Sequence, residues 1–280
     1  MKIAFAADST CDLSMEQSKK LGVRIVPLTI LVDGREYSDG VNITQQEVID
    51  AVSSGKKVTT AAVNGAEYER VFSELLRDAD AVISLHLGSG YSSCFNNARL
   101  VAEDMKGVYP VDTRSLCNGS ALLVMDAMDL AAKGLAPEDI VRELEERRRR
   151  VDAAFLTTDI SYLQRGGRCS SAAAFGAKLL SIRPSVDLVD GEMRMGKKYR
   201  GSLERCLRQH VQDRLAEPER IDPRRGFVCR SPGDEEMYRI FLEEIGKAGV
   251  FEELIETHAG CSICTHCGPN TYALMYERKA

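Results

Sequence analysis

The 280-residue sequence lacks an excess of basic residues and a long apolar run. Lysine and arginine total 37 against 42 acidic residues, which gives a net charge of −5. Because general nucleic-acid binders present a basic surface, this balance argues against that class. No apolar run is long enough to span a membrane, and Asp8 interrupts the apolar segment that follows Lys2, so no signal sequence is predicted. We therefore expect a cytoplasmic protein without stable membrane insertion.

Motifs for nucleotide binding and for serine hydrolysis are also missing. The turn Gly88-Ser89-Gly90 lacks the third glycine of a dinucleotide fingerprint, and no Walker pattern occurs. Ser92 is not framed by the Gly-x-Ser-x-Gly pattern of α/β-hydrolases. A small-molecule serine hydrolase or transferase that uses Ser92 and His266 stays open as an alternative.

Short apolar segments alternate with amphipathic ones through the first half of the chain. Residues 2–7, 23–32, 81–85 and 108–111 have the composition of buried strands, with helical periodicity between them. Such alternation predicts a parallel sheet covered by helices. The second half mixes hairpin and helix patterns. We therefore predict an α/β protein with a parallel α/β domain at residues 1–155 and a mixed α+β domain at residues 156–280.

Local signals predict where several elements begin and end. Ser14, Thr44 and Ser202 are placed to cap helices, and Asp33-Gly34 and Asp190-Gly191 predict hairpin turns. The further local predictions are a turn at 163–168, a small-residue helix from Ser170 or Ser171 through Leu179, a strand at 260–266, a solvated helix end at 147–150 and a boundary position for His210 on its helix.

Polar side chains follow or precede several of these elements. Thr10, Thr60 and Ser92-Ser93 stand where predicted strands end or helices begin, and in a parallel sheet such positions gather at one edge. Ser92 and Ser93 come directly before a helical segment, where free backbone N–H groups attract negative charge. The sequence therefore predicts an anion site at this edge.

Nine cysteines are a high and odd number for this length. In a cytosolic chain they indicate free thiols rather than a disulfide framework. Cys261, Cys264 and Cys267 have a spacing that suits zinc or an iron–sulfur cluster. On the predicted strand, however, alternate side chains point to opposite faces. Buried cysteines are favoured, and a cysteine-rich metal-binding protein stays open as an alternative.

Seven segments carry a resemblance that covers the whole chain. They are Asp8-Ser9-Thr10, Thr59-Thr60, residues 87–94, Asp112-Thr113, residues 162–168, Lys198-Tyr199-Arg200 and Thr265-His266-Cys267-Gly268. In this order and spacing they resemble the DegV family of bacterial fatty-acid-binding proteins. The pieces Leu-Gln-Arg-Gly-Gly-Arg and Thr-His-x-Gly are its most specific part.

The resemblance implies a two-domain, non-catalytic lipid-binding protein that holds one long-chain fatty acid between its domains. The acyl chain would lie in an apolar tunnel, with the carboxylate at its mouth and no cofactor besides this ligand. A separate ATP-dependent fatty acid kinase is the implied partner, which phosphorylates the acid for phospholipid synthesis. The resemblance assigns the ligand site to Thr60, Ala61, Ser92, Ser93, Thr265 and His266, and the kinase contact to Arg200 and His266.

The sequence departs from this family at the head-group positions. The family usually has Thr-Ser-Gln-Pro at residues 60–63 and Ser-Gly-Thr at residues 92–94. Here Ala61 and Cys94 each replace a hydroxyl residue, Ser93 adds one, and Cys117 stands where a serine is common. We therefore expect a carboxylate site with an altered hydrogen-bond network.

Overall fold

The computed structural model describes residues 1–174 and 182–280. Its strands are β1 (Ile3–Asp8), β2 (Val23–Val26), β3 (Thr29–Val32), β4 (Arg35–Ser38), β5 (Val58–Ala61), β6 (Ala81–His86), β7 (Val108–Asp112), β8 (Val151–Leu156), β9 (Ile182–Val189), β10 (Glu192–Arg200), β11 (Ile221–Arg230), β12 (Leu254–His258) and β13 (Tyr272–Arg278). Its helices are α1 (Met15–Leu21), α2 (Gln45–Ser53), α3 (Gly65–Leu76), α4 (Cys94–Glu103), α5 (Asn118–Ala132), α6 (Pro137–Arg147), α7 (Ser161–Gly166), α8 (Leu203–Arg214), α9 (Glu235–Ala248) and α10 (Cys261–Cys267). Short 3₁₀ helices cover Ser9–Cys11, Ser170–Ala174 and Pro218–Arg220. Among the described helices, none has the length and apolar character needed to cross a membrane.

The first half of the chain forms a parallel sheet with the order β2-β1-β6-β7. Every residue of β6 is buried, as expected for a central strand that is covered on both faces. The strands β1 and β6 end side by side at Asp8 and His86. The loops that follow β1 and β6 therefore leave the sheet at this edge, where they face the second half of the chain.

The second half forms a six-stranded sheet with the order β10-β9-β8-β13-β11-β12. Its pairs are antiparallel except β11 with β12, which run parallel. The predicted fold class, a parallel sheet joined to a mixed sheet, is confirmed. The strand β8 crosses the predicted boundary at residue 155 and belongs to this sheet, while the division into two domains stays a prediction.

One predicted strand was wrong because proline interrupts it. Residues 23–32 form two strands, β2 and β3, and not one. Pro27 has no N–H for a sheet hydrogen bond, which favours the break at this position. After the break, β3 joins β4 and β5 in a separate antiparallel sheet with the order β4-β3-β5. Thr60 therefore reaches the edge on this small sheet rather than on the parallel one.

The predicted helix caps and hairpin turns are confirmed. The side chains of Ser14, Thr44 and Ser202 accept hydrogen bonds from backbone N–H groups of α1, α2 and α8. The turns after Val32 and Val189 join β3 to β4 and β9 to β10 as antiparallel hairpins. The helix predicted to continue through Leu179 is a 3₁₀ helix at Ser170–Ala174, and Leu179 lies outside the described residues.

The larger apolar core joins the parallel and mixed sheets. It includes Phe5 and Ile83 from the parallel sheet and Phe155 and Met275 from the mixed sheet. Helix α5 lies between them, and its Leu123 is completely buried. The loops at the edge of the parallel sheet are therefore held against the second half by a shared core.

Two local predictions in the second half were wrong. Residues 163–168 were expected to form a turn, but α7 covers most of them. Residues 260–266 were expected to form a strand, but α10 covers them from Cys261 onward. The N-terminus of α10 is held by distant carboxylates: Asp39 accepts from the N–H groups of Cys261 and Ser262 at 2.8 and 3.2 Å, and Asp12 accepts from Gly260 at 2.8 Å. These acids favour a helix because they satisfy the N–H groups that its first turn leaves unpaired.

Two side-chain predictions were also wrong. The helix end at residues 147–150 is only partly solvated, because the side chains of Arg147 and Arg148 are 14% and 13% exposed. Arg147 pairs with Asp126 at 2.9 Å. His210 is completely buried rather than at a helix boundary, with Nδ1 3.4 Å from the Tyr199 hydroxyl.

Candidate functional site

A cavity of about 400 Å³ lies where the loop before α4 meets β5, α10 and the loop after α7. Its polar lining comes from Thr10, Thr60, Ser89, Ser92, Ser93, Asn96, Arg168, Ser262 and His266. The apolar lining comes from Leu28, Ala62, Leu87, Tyr91, Leu116, Met193, Ile263 and Cys267. The structure thus brings together Thr10, Thr60, Ser92 and Ser93, which the sequence had placed at one edge.

A buried polar network fixes the start of the loop that carries Ser92. The Asp8 carboxylate accepts hydrogen bonds from the Tyr68 hydroxyl at 2.7 Å and from the Leu87 N–H at 2.9 Å. His86 Nδ1 lies 3.1 Å from the same carboxylate. Because these groups are all buried, the network gives the strand end one defined geometry. His86 therefore helps to fix the strand end behind the cavity wall, but it does not line the cavity.

Asp112 holds the following turn from the neighbouring strand. Its carboxylate accepts hydrogen bonds from the Ser89 N–H at 3.0 Å and from the Ser89 hydroxyl at 2.6 Å. A Cβ at Gly88 would lie 3.0 Å from the backbone of Arg114, so a side chain here would require that backbone to shift. The position of Ser92 is therefore defined by contacts on both sides of its loop.

Thr60 and His266 meet across the cavity from distant parts of the chain. Thr60 Oγ1 and His266 Nε2 lie 2.9 Å apart, while His266 Nδ1 has no partner among the described residues. An added Cβ at Gly166 would overlap His266 Nδ1, and one at Gly268 would overlap the Tyr162 ring. The two glycine-containing motifs therefore let α7 and α10 pack closely enough to place this imidazole.

His266 is neutral at pH 7, and Arg168 supplies positive charge beside it. Burial lowers the pKa of His266 to about 4, and the charge of Arg168 acts in the same direction. The Arg168 side chain is exposed at the cavity and donates to the Gly166 carbonyl at 2.8 Å and the Tyr91 carbonyl at 3.4 Å. Among the described lining residues, Arg168 is the one Lys or Arg. It is thus the natural counter-charge for an anion.

Ser92 is bonded to Cys94 and not to His266. The Ser92 hydroxyl donates to Cys94 Sγ at 3.2 Å and accepts from the Cys94 N–H at 3.3 Å. No hydrogen bond joins Ser92 to His266 in the described part of the chain, and no carboxylate orients His266 through Nδ1. The geometry therefore does not assemble the serine–histidine–acid relay of the hydrolase alternative.

Three of the predicted site residues do not line the cavity. Ala61 lies between the lining residues Thr60 and Ala62 on β5 and its extension. The Thr265 hydroxyl donates to the Cys261 carbonyl within α10 at 2.8 Å. Arg200 is exposed at the end of the edge strand β10. Their roles stay predictions.

Four polar lining residues were missed as site residues from the sequence. Asn96 and Ser262 lie outside the family segments, and Ser89 and Arg168 were seen only as part of such segments. Thr10 was placed at the predicted anion edge but not among the ligand-binding residues. The hydroxyls of Thr10 and Ser262 are buried and have no hydrogen-bond partner among the described residues. Buried polar groups are normally paired, so these two hydroxyls indicate a ligand or water in the cavity. Ser262 lies on the helix α10, and its side chain lines the cavity.

The cysteines do not form the metal site that their spacing suggested. Cys261, Cys264 and Cys267 all lie on the helix α10, so their side chains do not alternate between two faces as they would on a strand. In the described part of the chain, the group that brings possible ligand atoms within 4.8 Å of one another is Asp12, Cys117 and Cys229, all buried. The Cys229 thiol contacts an Asp12 oxygen at 3.9 Å, and burial raises the pKa of Asp12 to about 8. The cysteines of the described part are free.

Together the parallel and mixed sheets, the shared core and the mixed polar and apolar cavity define an α/β protein with a candidate ligand site between its two halves. Comparison with known proteins identifies the family. A family model described as an uncharacterised protein of the DegV family matches residues 2–279, and the chain belongs to this family.

Relatives match along nearly the full length. A DegV domain-containing protein of Caldanaerobacter subterraneus subsp. tengcongensis is 32% identical over 290 aligned positions, which cover 99% of each chain. The solved structure described as fatty acid binding of a DegV family protein from Thermus thermophilus has a TM-score of 0.91 and 31% identity, covering 99% of this chain and 100% of that one. The structure of DegV from Bacillus subtilis, described as a fatty acid binding protein, has a TM-score of 0.84 and 27% identity, covering 100% of both.

Proposed function

We propose that this chain is a non-catalytic lipid-binding protein that holds one long-chain fatty acid in the cavity between α10 and the loop before α4. The observation that carries the proposal is the convergence of hydroxyls, a neutral imidazole and one guanidinium on a cavity with a buried apolar wall. The relatives described as fatty acid binding support the same ligand class.

The carboxylate is proposed to lie near Thr60, Ser92, Ser93 and His266, facing Arg168. Hydrogen bonds to a charged group contribute roughly 1.5–3 kcal/mol each, so these donors would fix the head group. The acyl chain is proposed to run along the apolar lining residues, where each buried CH₂ contributes about 0.8 kcal/mol. Affinity would then come mainly from the chain, and orientation from the head group. Thr265 and Ala61 are proposed to act on this site through the backbone around His266 and Thr60.

Extraction of lipid from the purified protein, followed by mass spectrometry, tests this proposal. We expect one long-chain fatty acid per chain. If well-folded protein yields no fatty acid and takes up none on incubation, the proposal is wrong.

The head-group position is tested by Arg168→Gln against Arg194→Gln. Losing a charged partner should weaken fatty acid binding about 10- to 100-fold, from the roughly 1.5–3 kcal/mol of such a hydrogen bond. Arg194 is exposed and pairs with Glu192 at 3.2 Å, so its variant should bind as the wild type does. Equal affinity of all three proteins, measured by titration of delipidated protein, would place the carboxylate elsewhere.

We also propose that the loaded protein presents the acid to a fatty acid kinase, with Arg200 and His266 in contact with that partner. Arg200 is exposed on the edge strand β10, where a partner can reach it. Incubation of the loaded protein with such a kinase and ATP should give an acyl phosphate. No product would remove the kinase role and leave the binding proposal standing.

A further inference from the structure

A second cavity, of about 300 Å³, shares no lining residue with the proposed fatty acid site, and six of its lining residues are arginines. They are Arg114, Arg148, Arg149, Arg150, Arg214 and Arg278. They come from the loop after β7, the segment between α6 and β8, the end of α8 and the end of β13. The fold therefore gathers guanidinium groups from four distant segments around one concave surface.

Part of this positive charge is already neutralised. Arg278 donates to the Asp152 carboxylate at 2.7 Å, and Arg214 pairs with the same carboxylate. Arg149 pairs with Glu146 at 3.2 Å, with side chains that are 65% and 66% exposed. Such an exposed pair contributes little and leaves the arginine free to move to another anion.

The buried arginine of the cluster lacks a close acidic partner. Arg148 donates from Nη1 to the Asp112 carbonyl at 2.8 Å, and the nearest Glu145 oxygen is 3.9 Å away. Its Nε is buried and has no hydrogen-bond partner among the described residues. Burial lowers the pKa of Arg148, and the charge of Arg114 acts in the same direction. The two guanidinium groups therefore repel each other across the cavity.

Arg114 and Arg150 are likewise without a counter-ion. Neither side chain forms an ion pair within 4.0 Å or a hydrogen bond in the described part of the chain. The charge of Arg150 acts on two acids that are engaged elsewhere: Asp222 pairs with Arg224 at 2.7 Å, and burial raises the pKa of Glu277 to about 9. Arg114 lies close to Gly191, where an added Cβ would lie 3.3 Å from Arg114 Cβ.

The acidic side chains that line the cavity do not balance these arginines. They are Asp152, Asp187 and Asp190, against six arginines. Asp152 is already paired twice, and burial raises the pKa of Asp187 and so disfavours its charged form. Three arginines thus face one concave surface with too little negative charge among the described residues to satisfy them.

We propose that this cavity is a binding site for a phosphate group, carried by inorganic phosphate, pyrophosphate or a phosphate ester, and held by Arg114, Arg148 and Arg150. A guanidinium offers paired N–H donors that match two phosphate oxygens, and it stays charged at all physiological pH values. A phosphate carries more charge than a carboxylate and suits a site with several unpaired arginines. The two cavities share no lining residue, so either proposal can fail without the other.

Calorimetric titration with pyrophosphate, at constant ionic strength and in a phosphate-free buffer, tests this site. The wild type should bind, and Arg114→Gln/Arg150→Gln should lose at least about tenfold in affinity, as expected from losing one charged hydrogen bond or more. Arg142→Gln is the control, because Arg142 is 72% exposed on α6 and pairs with Asp139. If the double variant does not fold, Arg114→Gln alone changes one exposed side chain and should still weaken binding.

Vesicles distinguish the sources of the phosphate. The site would be assigned to a lipid head group if the wild type co-sediments with phosphatidylglycerol vesicles but not with phosphatidylcholine vesicles. The double variant should then lose this co-sedimentation. Binding of pyrophosphate without co-sedimentation would assign the site to a soluble phosphate. The proposal is overturned if neither probe binds the wild type, or if Arg142→Gln loses as much affinity as the double variant.

Discussion

At the scale of single residues, the hydrogen bond between Thr60 and His266 decides how the head-group site is arranged. Each residue comes from a separate element, and the bond is the direct link between β5 and α10 at the cavity. Because His266 is neutral at pH 7, it can donate through one nitrogen and accept through the other. The Thr60 hydroxyl then has its remaining hydrogen-bonding capacity free for an oxygen of the proposed carboxylate.

Replacing Thr60 tests this arrangement. Thr60→Val keeps the shape of the side chain and removes the hydroxyl, so fatty acid affinity should fall about 5- to 10-fold, the equivalent of roughly 1–1.5 kcal/mol for one hydrogen bond. Thr59→Val is the matched control, because Thr59 is exposed and does not line the cavity. Its affinity should stay within about twofold of the wild type. Titration of delipidated protein measures both, and an equal loss in the two variants would contradict the role of Thr60.

His210 gives the protein a defined dependence on pH. Burial lowers its pKa to about 4 from an ordinary value of 6.5. As the pH falls below 6.5, the unfolded state takes up a proton that the folded state refuses until about pH 4. The stability from this group is therefore present above pH 6.5 and is lost as the pH falls toward 4.

Urea unfolding of His210→Gln at pH 7 and pH 4.5 measures this effect. The wild type should lose up to about 3 kcal/mol more free energy of unfolding than the variant over this interval. His258→Gln is the control, because His258 is exposed and should leave the pH dependence of the wild type unchanged. A parallel fall in all three proteins would show that His210 does not titrate in this range.

At the scale of elements, the close packing of α7 on α10 depends on Gly166. Gly166→Ala would place a Cβ against His266 Nδ1, so the ring or the helix must move. We expect a loss of about 1–3 kcal/mol in stability and weaker fatty acid binding. Gly246→Ala is the control: Gly246 lies inside α9, a Cβ there meets nothing within 4 Å, and the variant should gain about 0.5–1 kcal/mol. Thermal unfolding and fatty acid titration check both, and a Gly166→Ala protein as stable as Gly246→Ala would contradict the packing argument.

The elements that the sequence predicts correctly are those whose signals are local. Ser14 and Thr44 bond to the N–H groups three residues ahead, and Asp33-Gly34 closes its own turn, so a short window contains the cause. Helix α10 is different, because Ser-Ile-Cys-Thr suits a strand and the acids that hold its first turn, Asp12 and Asp39, are more than 200 residues away. The same long separation in sequence explains why Ser262 was not predicted as a site residue. It also explains why the cysteines of α10 were placed on a strand when metal binding was considered.

Four residues that the sequence assigns to the ligand site, Thr60, Ser92, Ser93 and His266, line the cavity, and their contact with a ligand stays a prediction. Arg168 was not assigned to the site, because its side chain reaches the cavity only after α7 has packed against α10. The arginines at residues 147–150 were misjudged for a related reason: Arg147 pairs with Asp126 of α5 and Arg148 donates to the Asp112 carbonyl of β7, and a helix-end pattern does not reveal these contacts.

At the scale of the whole molecule, a shared core connects the two halves that the sequence divides near residue 155. The larger apolar cluster contains residues of the parallel sheet, the mixed sheet and α5. Because the proposed fatty acid cavity lies at the same junction, binding should stabilise both halves together. This arrangement makes cooperative unfolding the expected behaviour, even if each half has its own sheet.

Leu123→Ala tests this cooperativity. Leu123 is completely buried on α5, and removing its side chain should cost about 2–5 kcal/mol in the free energy of unfolding. Leu100→Ala makes the same chemical change at a side chain that is 54% exposed and should cost no more than about 0.5 kcal/mol. Hydrogen exchange during urea unfolding should show β6 and β13 losing protection at the same urea concentration in the wild type, and together at a lower concentration in Leu123→Ala. If β13 keeps its protection while β6 loses it, the halves unfold separately and the shared core does not couple them.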